Sequence, residues 1–167
     1  MALIPIVDQD DNVLYQKERA EISLDEIYRV SACWVTNSHW DILLAQRAYT
    51  KKHHPGKWWP AVAGTVTGVE SYLDNILHEI EEEIWIEIWE DQLQEWPYYL
   101  SNGKYKHFTK RYIACIDLPI EDFTKEEGQV EELRRRSPDE LNNQIEKNPN
   151  HFLDAVQWWK ELFKTYL

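Results

Sequence analysis

The sequence is poor in glycine and cysteine, with five glycines and two cysteines among its 167 residues. Cys33 and Cys115 lie far apart in apolar runs, so we expect each to be a buried thiol in a strand rather than half of a disulfide. No stretch approaches the roughly 18 apolar residues that a membrane-spanning helix needs. The first eleven residues also lack the basic start of a signal peptide. These absences predict a cytoplasmic protein without a disulfide framework.

Positive charge is also scarce, since 18 lysines and arginines face 30 aspartates and glutamates, a formal net charge of −12. So acidic a chain lacks the basic face that binds nucleic-acid phosphates, and an anionic membrane would repel it. It can still bind a phosphorylated small molecule if metal cations bridge the two. The length fits a single domain over residues 1–167, and 43% hydrophobic residues suffice for a core.

Hydrophobic periodicity predicts several strands, one central helix and two late helices. We expect an N-terminal hairpin within about 1–26, an acidic connection over 121–132, and C-terminal helices within about 137–167. This element order favours a sheet with helices packed on both faces. The predicted strands are 3–7, 13–16, 27–36, 42–46, 58–66, 96–100 and 105–117, and the predicted helices are 71–84, 138–147 and 150–167.

Three glutamates share one stripe of the predicted central helix. At about 100° per residue, Glu82 and Glu83 lie about 60° and 40° to either side of Glu79. The apolar residues around Ile80 centre roughly a third of a turn away, and Glu81 falls on neither stripe. The sequence therefore places three carboxylates together, within about one turn and beside a surface that faces the core.

This carboxylate stripe is unfavourable by itself, because like charges at such spacing cost about a few tenths of a kcal/mol each. Many acidic stripes are simply solvated helix faces, which is the plainer interpretation. A hard divalent cation bound between the carboxylates would turn their mutual repulsion into a net attraction. Magnesium prefers oxygen ligands, which it shares between carboxylates and substrate phosphates. The stripe offers no sulfur ligand, which argues against zinc. The stripe alone therefore leaves two interpretations open, a solvated acidic face and a magnesium site, with manganese as an alternative metal.

The spacing around the stripe is what makes it specific. Gly64 is followed after five residues by Glu70 and, after seven more, by the run HEIEEEIWI over 78–86. The segment 64–86 resembles a Nudix box, whose pattern is G-x5-E-x7-R-E-U-x-E-E-x-G-U, with U an aliphatic residue. Upstream, 43–47 and 55–58 are similar to the Nudix branch of isopentenyl diphosphate isomerase-like hydrolases. The fixed positions that match are Gly64, Glu70, Glu79, Ile80, Glu82, Glu83 and Ile86.

The resemblance implies a fold, a reaction and a set of residues. The fold would be the α/β class, as a Nudix α/β/α sandwich with a mixed sheet. Glu79, Glu82 and Glu83 would be metal ligands and catalytic residues, Glu70 a supporting acid, and Gly64 the point where the backbone turns into the loop before the helix. The implied chemistry is attack of a metal-activated water on a phosphorus of a nucleoside diphosphate derivative.

Two fixed positions of the box differ. His78 stands where the family has arginine, and it could still orient Glu79, although with fewer donors and a charge that titrates near neutrality. Trp85 stands where the family has glycine after the helix. A helix often ends there in the left-handed conformation, and a tryptophan forced into it would cost about 1–2 kcal/mol.

Trp40 raises the same question, because it occupies a turn where glycine is expected. The chain has nine tryptophans and five glycines. One hypothesis is that the gene contains UGA codons that its organism reads as glycine and that this chain renders as tryptophan. Ordinary drift at Trp40 and Trp85 is the alternative.

Several residues outside the box are candidates for substrate contact. Arg47, at the end of a strand, could pair with Glu70 or meet substrate, and Lys57 belongs to a basic loop that could face phosphate. Trp58 could stack on a base, although packing in the core also explains it. Glu127, or its neighbour Glu126, lies in the acidic loop where some Nudix enzymes keep a general base.

Two other functions remain open. One is a catalytically weak or inactive Nudix scaffold that binds a nucleotide or a protein, which His78 and Trp85 would favour. The other is isopentenyl diphosphate isomerase, but that family places a catalytic cysteine in the region matching 58–63, where this chain has none. The apolar stripe of the last predicted helix could pack internally or against a second copy in a homodimer.

Overall fold

The computed structural model describes residues 2–157 and 159–164, and it has nine strands and four α-helices in this part of the chain. The helices are α1 Tyr72–Ile84, α2 Pro138–Lys147, α3 Asp154–Gln157 and α4 Trp159–Phe163. The strands are β1 Ile4–Val7, β2 Val13–Lys17, β3 Ile27–Thr36, β4 Ile42–Arg47, β5 Trp58–Pro60, β6 Val62–Thr65, β7 Leu93–Asn102, β8 Lys106–Cys115 and β9 Val130–Arg136.

Strand β3 is the centre of a mixed sheet. It pairs in parallel with β8 along its whole length and antiparallel with β1 and β6, while β7 lies outside β8. It meets β4 at one pair, Thr36 and Ile42, and β4 then pairs with β5 and β9 instead. The sheet therefore splits beyond the β3–β4 turn into two wings.

Helix α1 packs between these two wings. Its buried residues Ile76, Ile80 and Ile84 contact a cluster that includes Val35 of β3 and Leu43 of β4. The opposite side of the sheet packs against the C-terminal helices, in a cluster of buried residues formed by Trp34, Ile42, Leu44, Ile113, Leu141, Phe152, Val156, Trp159 and Phe163. Helices therefore cover both faces of a mixed sheet, as the α/β/α prediction requires.

Polar contacts fix where α1 begins. Ser71 accepts a hydrogen bond from the Asp74 backbone N–H at 3.1 Å, and Asp74 accepts one from the Ser71 backbone N–H at 3.0 Å, which forms a capping box. One turn later, the buried Asn75 accepts a hydrogen bond from Ser31 of β3 and donates one to the Thr65 carbonyl at 3.3 Å. These bonds set the position of α1 along both β3 and β6.

Several sequence predictions differ from the structure. The segment predicted as one strand over 58–66 is two strands, because β5 pairs with β4 and β6 pairs with β3. The connection over 121–132 ends in a strand, β9, which the sequence did not reveal because five of its seven residues, VEELRRR, are charged and hide any apolar alternation. Residues 149–151 form a 3-10 turn, so the last predicted helix begins at Asp154. Its final residues, 165–167, lie outside the described part.

The two cysteines also differ in environment. Cys33 is fully buried, as expected, whereas Cys115 is exposed, because β8 ends at the edge of the core. Neither cysteine is paired in a disulfide. Within the described ranges, none of the helices combines the length and the apolar character that crossing a membrane would demand.

The capping box generates a stability prediction. Ser71→Ala removes the side-chain acceptor for the Asp74 N–H, so the free energy of unfolding should fall by about 1 kcal/mol. Urea denaturation measures this change, and Ser71→Thr, which keeps the hydroxyl, should retain most of the stability. Equal losses for both variants would mean that the capping bond contributes nothing.

Candidate metal centre

The three glutamates predicted as a stripe differ in how far they are withdrawn from water. Glu83 is buried with 8% of its surface exposed, Glu79 is half-buried, and Glu82 is exposed. Glu81, on the same helix, is exposed as predicted. The stripe therefore runs from the edge of the core at Glu83 to solvent at Glu82, as expected of a site that faces a groove.

Glu83 lies against the backbone of β6. The Ala63 N–H donates a hydrogen bond of 3.0 Å to Glu83 Oε2. Burial raises the pKa of Glu83 to about 8; the Ala63 bond opposes this rise, and the charges of Glu79 and Glu126 add to it. A carboxylate in this position is costly as an anion unless a cation accompanies it.

Glu79 occupies space that only a glycine in β6 leaves open. A Cβ atom placed on Gly64 would overlap the Glu79 carboxylate. Burial, followed by the charge of Glu82, raises the pKa of Glu79, and a 3.5 Å hydrogen bond from Asn75 opposes the rise. Gly64 is therefore needed because the Glu79 side chain lies too close to leave room for a Cβ atom. The φ of Gly64 is not in the left-handed region, so the backbone conformation does not require glycine here.

Glu70 and His78 form a supporting pair beside the stripe. His78 Nδ1 lies 3.1 Å from Glu70 Oε1, and Glu70 Oε2 accepts hydrogen bonds from the Thr67 backbone and hydroxyl at 3.3 and 3.2 Å. Burial alone would raise the pKa of Glu70, but the bonds from His78, Thr67 and Asn75 lower it. His78 thus contacts Glu70, although the sequence suggested that it would orient Glu79.

Arg47 is the cation that the fold brings towards the stripe. Its guanidinium lies 4.6 Å from the centre of the Trp59 ring, and its Nε donates to the His53 carbonyl at 3.0 Å. Burial lowers the pKa of Arg47 and the nearby charge of Glu83 opposes this effect. The charge of Glu83 therefore acts on Arg47 without a direct ion pair among the described residues, and Glu70 pairs with His78 instead.

The other two substrate-contact candidates lie differently. Trp58 packs against the cluster on the opposite side of the sheet from α1, with Arg134 and Arg136 about 5.5 and 5.6 Å from its ring centre. Lys57 meets Arg47 through the backbone, since the Arg47 N–H donates to the Lys57 carbonyl at 2.9 Å. Core packing therefore explains Trp58, and its neighbour Trp59 is the aromatic residue beside Arg47.

The loop between β8 and β9 closes one side of the groove. The groove has a volume of about 900 Å³ and includes both loop acids, Glu126 and Glu127. Glu126 is the one whose charge raises the pKa of both Glu79 and Glu83, and its own pKa is raised by burial and by Glu82. The lining residues are His78, Glu81, Glu82, Trp85, Thr124, Lys125, Glu126 and Glu127.

The donor set fits a hard divalent cation. Glu79, Glu82, Glu83 and Glu126 carry the carboxylate oxygens that such a cation prefers, and a bound cation would offset the cost of ionising Glu83 in its buried position. Among the described residues, no three acidic, histidine or cysteine side chains already surround a single point. Magnesium keeps several waters and needs only one or two carboxylates, so a preformed cage is not required.

Comparisons with known proteins identify the family and the fold of the chain. A family model of the NUDIX domain matches residues 27–158 of the chain. An uncharacterized Nudix hydrolase from Yersinia pestis is 32% identical over 80 residues, which cover 47% of this chain and 44% of that protein. The match therefore spans less than half the length of this curated relative.

Solved structures share the fold. The chain is similar to DR0079 from Deinococcus radiodurans, with a TM-score of 0.71 and 21% identity over 87% of this chain and 89% of that one. A bifunctional NMN adenylyltransferase/ADP ribose pyrophosphatase from Francisella tularensis, complexed with AMP and a manganese ion, gives a TM-score of 0.61. Its identity is 14%, and the match covers 83% of this chain and 41% of that one. At these identities the likeness establishes the fold.

The contact between Gly64 and Glu79 generates a binding prediction. Gly64→Ala should displace the Glu79 carboxylate while leaving the fold intact, because the overlapping atoms belong to the flexible end of a side chain. Affinity for magnesium or manganese, measured by calorimetry, should fall by about 10–100-fold. In Gly103→Ala the new Cβ lies 3.7 Å from its nearest atom, so this control should bind normally. Unchanged affinity in Gly64→Ala would contradict the prediction.

Burial of Glu83 generates a pH prediction. Its pKa is about 8 in the folded protein against an ordinary value of 4.5, so folding favours the protonated form. The metal-free protein should therefore lose stability as the pH rises from about 4.5 through about 8. Glu83→Gln should flatten this profile in thermal melts, whereas Glu81→Gln, which changes an exposed carboxylate on the same helix, should not. A full pH dependence in Glu83→Gln would rule out Glu83 as its source.

Proposed function

Because this chain belongs to the NUDIX domain family, we propose that it is a magnesium-dependent hydrolase that cleaves a diphosphate linkage in a small phosphorylated molecule. One observation carries the proposal: the Glu83 carboxylate is buried beside Glu79, against the β6 backbone, at a cost that a bound cation would offset. Pyrophosphate hydrolysis in general is what Nudix hydrolases perform, and divalent metals are their usual cofactors.

The metal would be held by Glu79, Glu82 and Glu83. When bound, a divalent cation lowers the pKa of coordinated water and neutralises charge on the phosphoryl oxygens. The protein contributes orientation: Ala63 holds Glu83, Gly64 leaves room for Glu79, and both carboxylates thereby keep a fixed position against β6. This arrangement would let an acidic protein bind an anionic substrate.

The proton of the attacking water needs an acceptor, and we assign that role to the loop between β8 and β9. Of its two acids, Glu126 is favoured over Glu127, because Glu126 is partly buried whereas Glu127 is exposed, and burial and the charge of Glu82 raise the pKa of Glu126. Water oxygen then bonds to phosphorus, the bridging P–O bond breaks, and the proton passes to the Glu126 carboxylate. Arg47 is the proposed contact for a substrate phosphate, and its electrostatic interaction with Glu83 supports this role.

The proposed substrate is a nucleoside diphosphate derivative or a related diphosphate. Membership in the branch of isopentenyl diphosphate isomerase-like hydrolases stays a prediction from residues 43–47 and 55–58. An isomerase is disfavoured, since the chain has no cysteine at 58–63, and Cys33 is buried in β3. Homodimer formation and location in the cytoplasm likewise remain predictions.

The decisive experiment is turnover on a panel of diphosphate compounds, with and without magnesium or manganese. Glu83→Gln should lower turnover by about 100-fold or more, because even residues that only support metal ligands contribute about 10–100-fold. Glu87→Gln is the matched control: it removes one exposed carboxylate just beyond the end of α1, outside the lining of the groove, and should retain full activity. Glu126→Gln should reduce kcat more than Glu127→Gln does.

Each outcome bears on the proposal. Metal-dependent turnover that Glu83→Gln abolishes would support the hydrolase and identify its substrate class. Metal binding without turnover of any compound would instead support the non-catalytic scaffold. Equal activity of Glu83→Gln and Glu87→Gln would overturn the assignment of Glu83.

A further inference from the structure

Four non-glycine residues in the described part of the chain have a positive φ. They are Asp11, Trp40, His54 and Trp85. Aspartate and histidine are enriched in this left-handed region, because their short polar side chains bond locally, whereas bulky residues are outliers there. Asp11 and His54 therefore need no special explanation, and the two tryptophans do.

Trp40 lies in a hairpin turn whose hydrogen-bond pattern is found in two turns of this protein. In the β3–β4 turn, Asn37 N–H donates to Asp41 O at 3.2 Å and Trp40 N–H donates to Asn37 O at 3.0 Å, with Trp40 at φ 66°. This three-residue hairpin places a left-handed residue at its last position, where glycine is the residue of choice.

The β1–β2 turn has the same hydrogen bonds. Asp8 N–H donates to Asn12 O at 3.0 Å, Asp11 N–H donates to Asp8 O at 3.2 Å, and Asp11 has φ 63°. The first side chain of each loop also accepts a backbone N–H two residues on, at 2.9 Å to Asp8 in one and 3.0 Å to Asn37 in the other. One loop thus fills the left-handed position with a tolerant residue, and the other fills it with tryptophan.

Trp85 ends α1 in the same conformation. Its φ is 57° and its ψ 41°, and its N–H closes the last turn of the helix on the Glu81 carbonyl at 3.0 Å. Its side chain is 68% exposed, so burial of the indole offsets little of the backbone strain. The C-terminal end of a helix with this geometry is usually glycine.

We infer that positions 40 and 85 are glycine positions, and that the protein made by its own organism carries glycine at both. The two tryptophans then correspond to UGA codons, which one genetic code reads as tryptophan and another as glycine. A single cause accounts for both positions. A functional role for backbone strain could explain Trp85, because it lines the groove beside Glu82. It would not explain Trp40, which lies in the β3–β4 turn with its ring packed against Phe163.

Glycine at 85 has a consequence for the site. The Trp85 indole forms one wall of the groove that contains Glu82 and Glu126. Without that side chain the groove is wider at the C-terminal end of α1, so the natural protein would admit a bulkier group there. This inference does not depend on the proposed hydrolase activity, because its argument is backbone conformation alone.

Thermal melts of three variants of the full chain test the backbone argument. Trp85→Gly should raise the melting temperature by about 2–8 °C above both the parent and Trp85→Ala. Trp85→Ala removes the same indole but keeps the Cβ that causes the strain. Trp89→Gly is the matched control, since Trp89 is 66% exposed but has φ −103°, and it should bring no rise. A Trp85→Gly variant no more stable than Trp85→Ala would overturn the inference.

The codons and the natural protein test the decoding. UGA should stand at both positions in the gene, and peptide masses from protein isolated from the source organism should contain glycine at 40 and 85. Ordinary UGG codons at either position, or tryptophan in the isolated peptides, would refute the inference.

Discussion

The site depends on one unfavourable interaction, the withdrawal of two carboxylates from water in the space between α1 and β6. Glu83 is held by the Ala63 N–H and Glu79 by the room that Gly64 leaves. Burial and mutual repulsion raise the pKa of both groups. Such a pair costs stability when it is ionised in the absence of a cation, and the proposed metal would offset this cost.

The rest of the fold supplies the rigidity that this pair needs. Helix α1 is fixed by its capping box at Ser71 and by Asn75, which bonds to Ser31 of β3 and Thr65 of β6. Its apolar face is enclosed by both wings of the sheet. A helix anchored in this way cannot rotate to move Glu79 and Glu83 into solvent. The repulsion between these carboxylates therefore persists, and a bound cation would relieve it.

A second constraint acts at the ends of these elements. The α1 terminus and the β3–β4 turn each require a left-handed residue, and both positions hold tryptophan. The geometry of the two segments is set by hydrogen bonds of the main chain, with Trp40 and Trp85 both donating within their turns. The backbone at both positions therefore has the left-handed conformation that glycine adopts readily. The Cβ atom of each tryptophan makes this conformation strained.

The sequence by itself determined the elements that local pattern controls. The helix at 72–84, its capping box, the glutamate stripe and the glycine-like positions at 40 and 85 all follow from spacing and residue type. It could not reveal β9 or the division of 58–66 into two strands, since pairing partners are chosen across the fold. Tertiary structure alone decided that Glu83 is buried while Glu82 is exposed, that His78 pairs with Glu70, and that Glu126 lies near the stripe. These depend on which segments pack together, because burial and charge proximity are properties of neighbours distant along the chain.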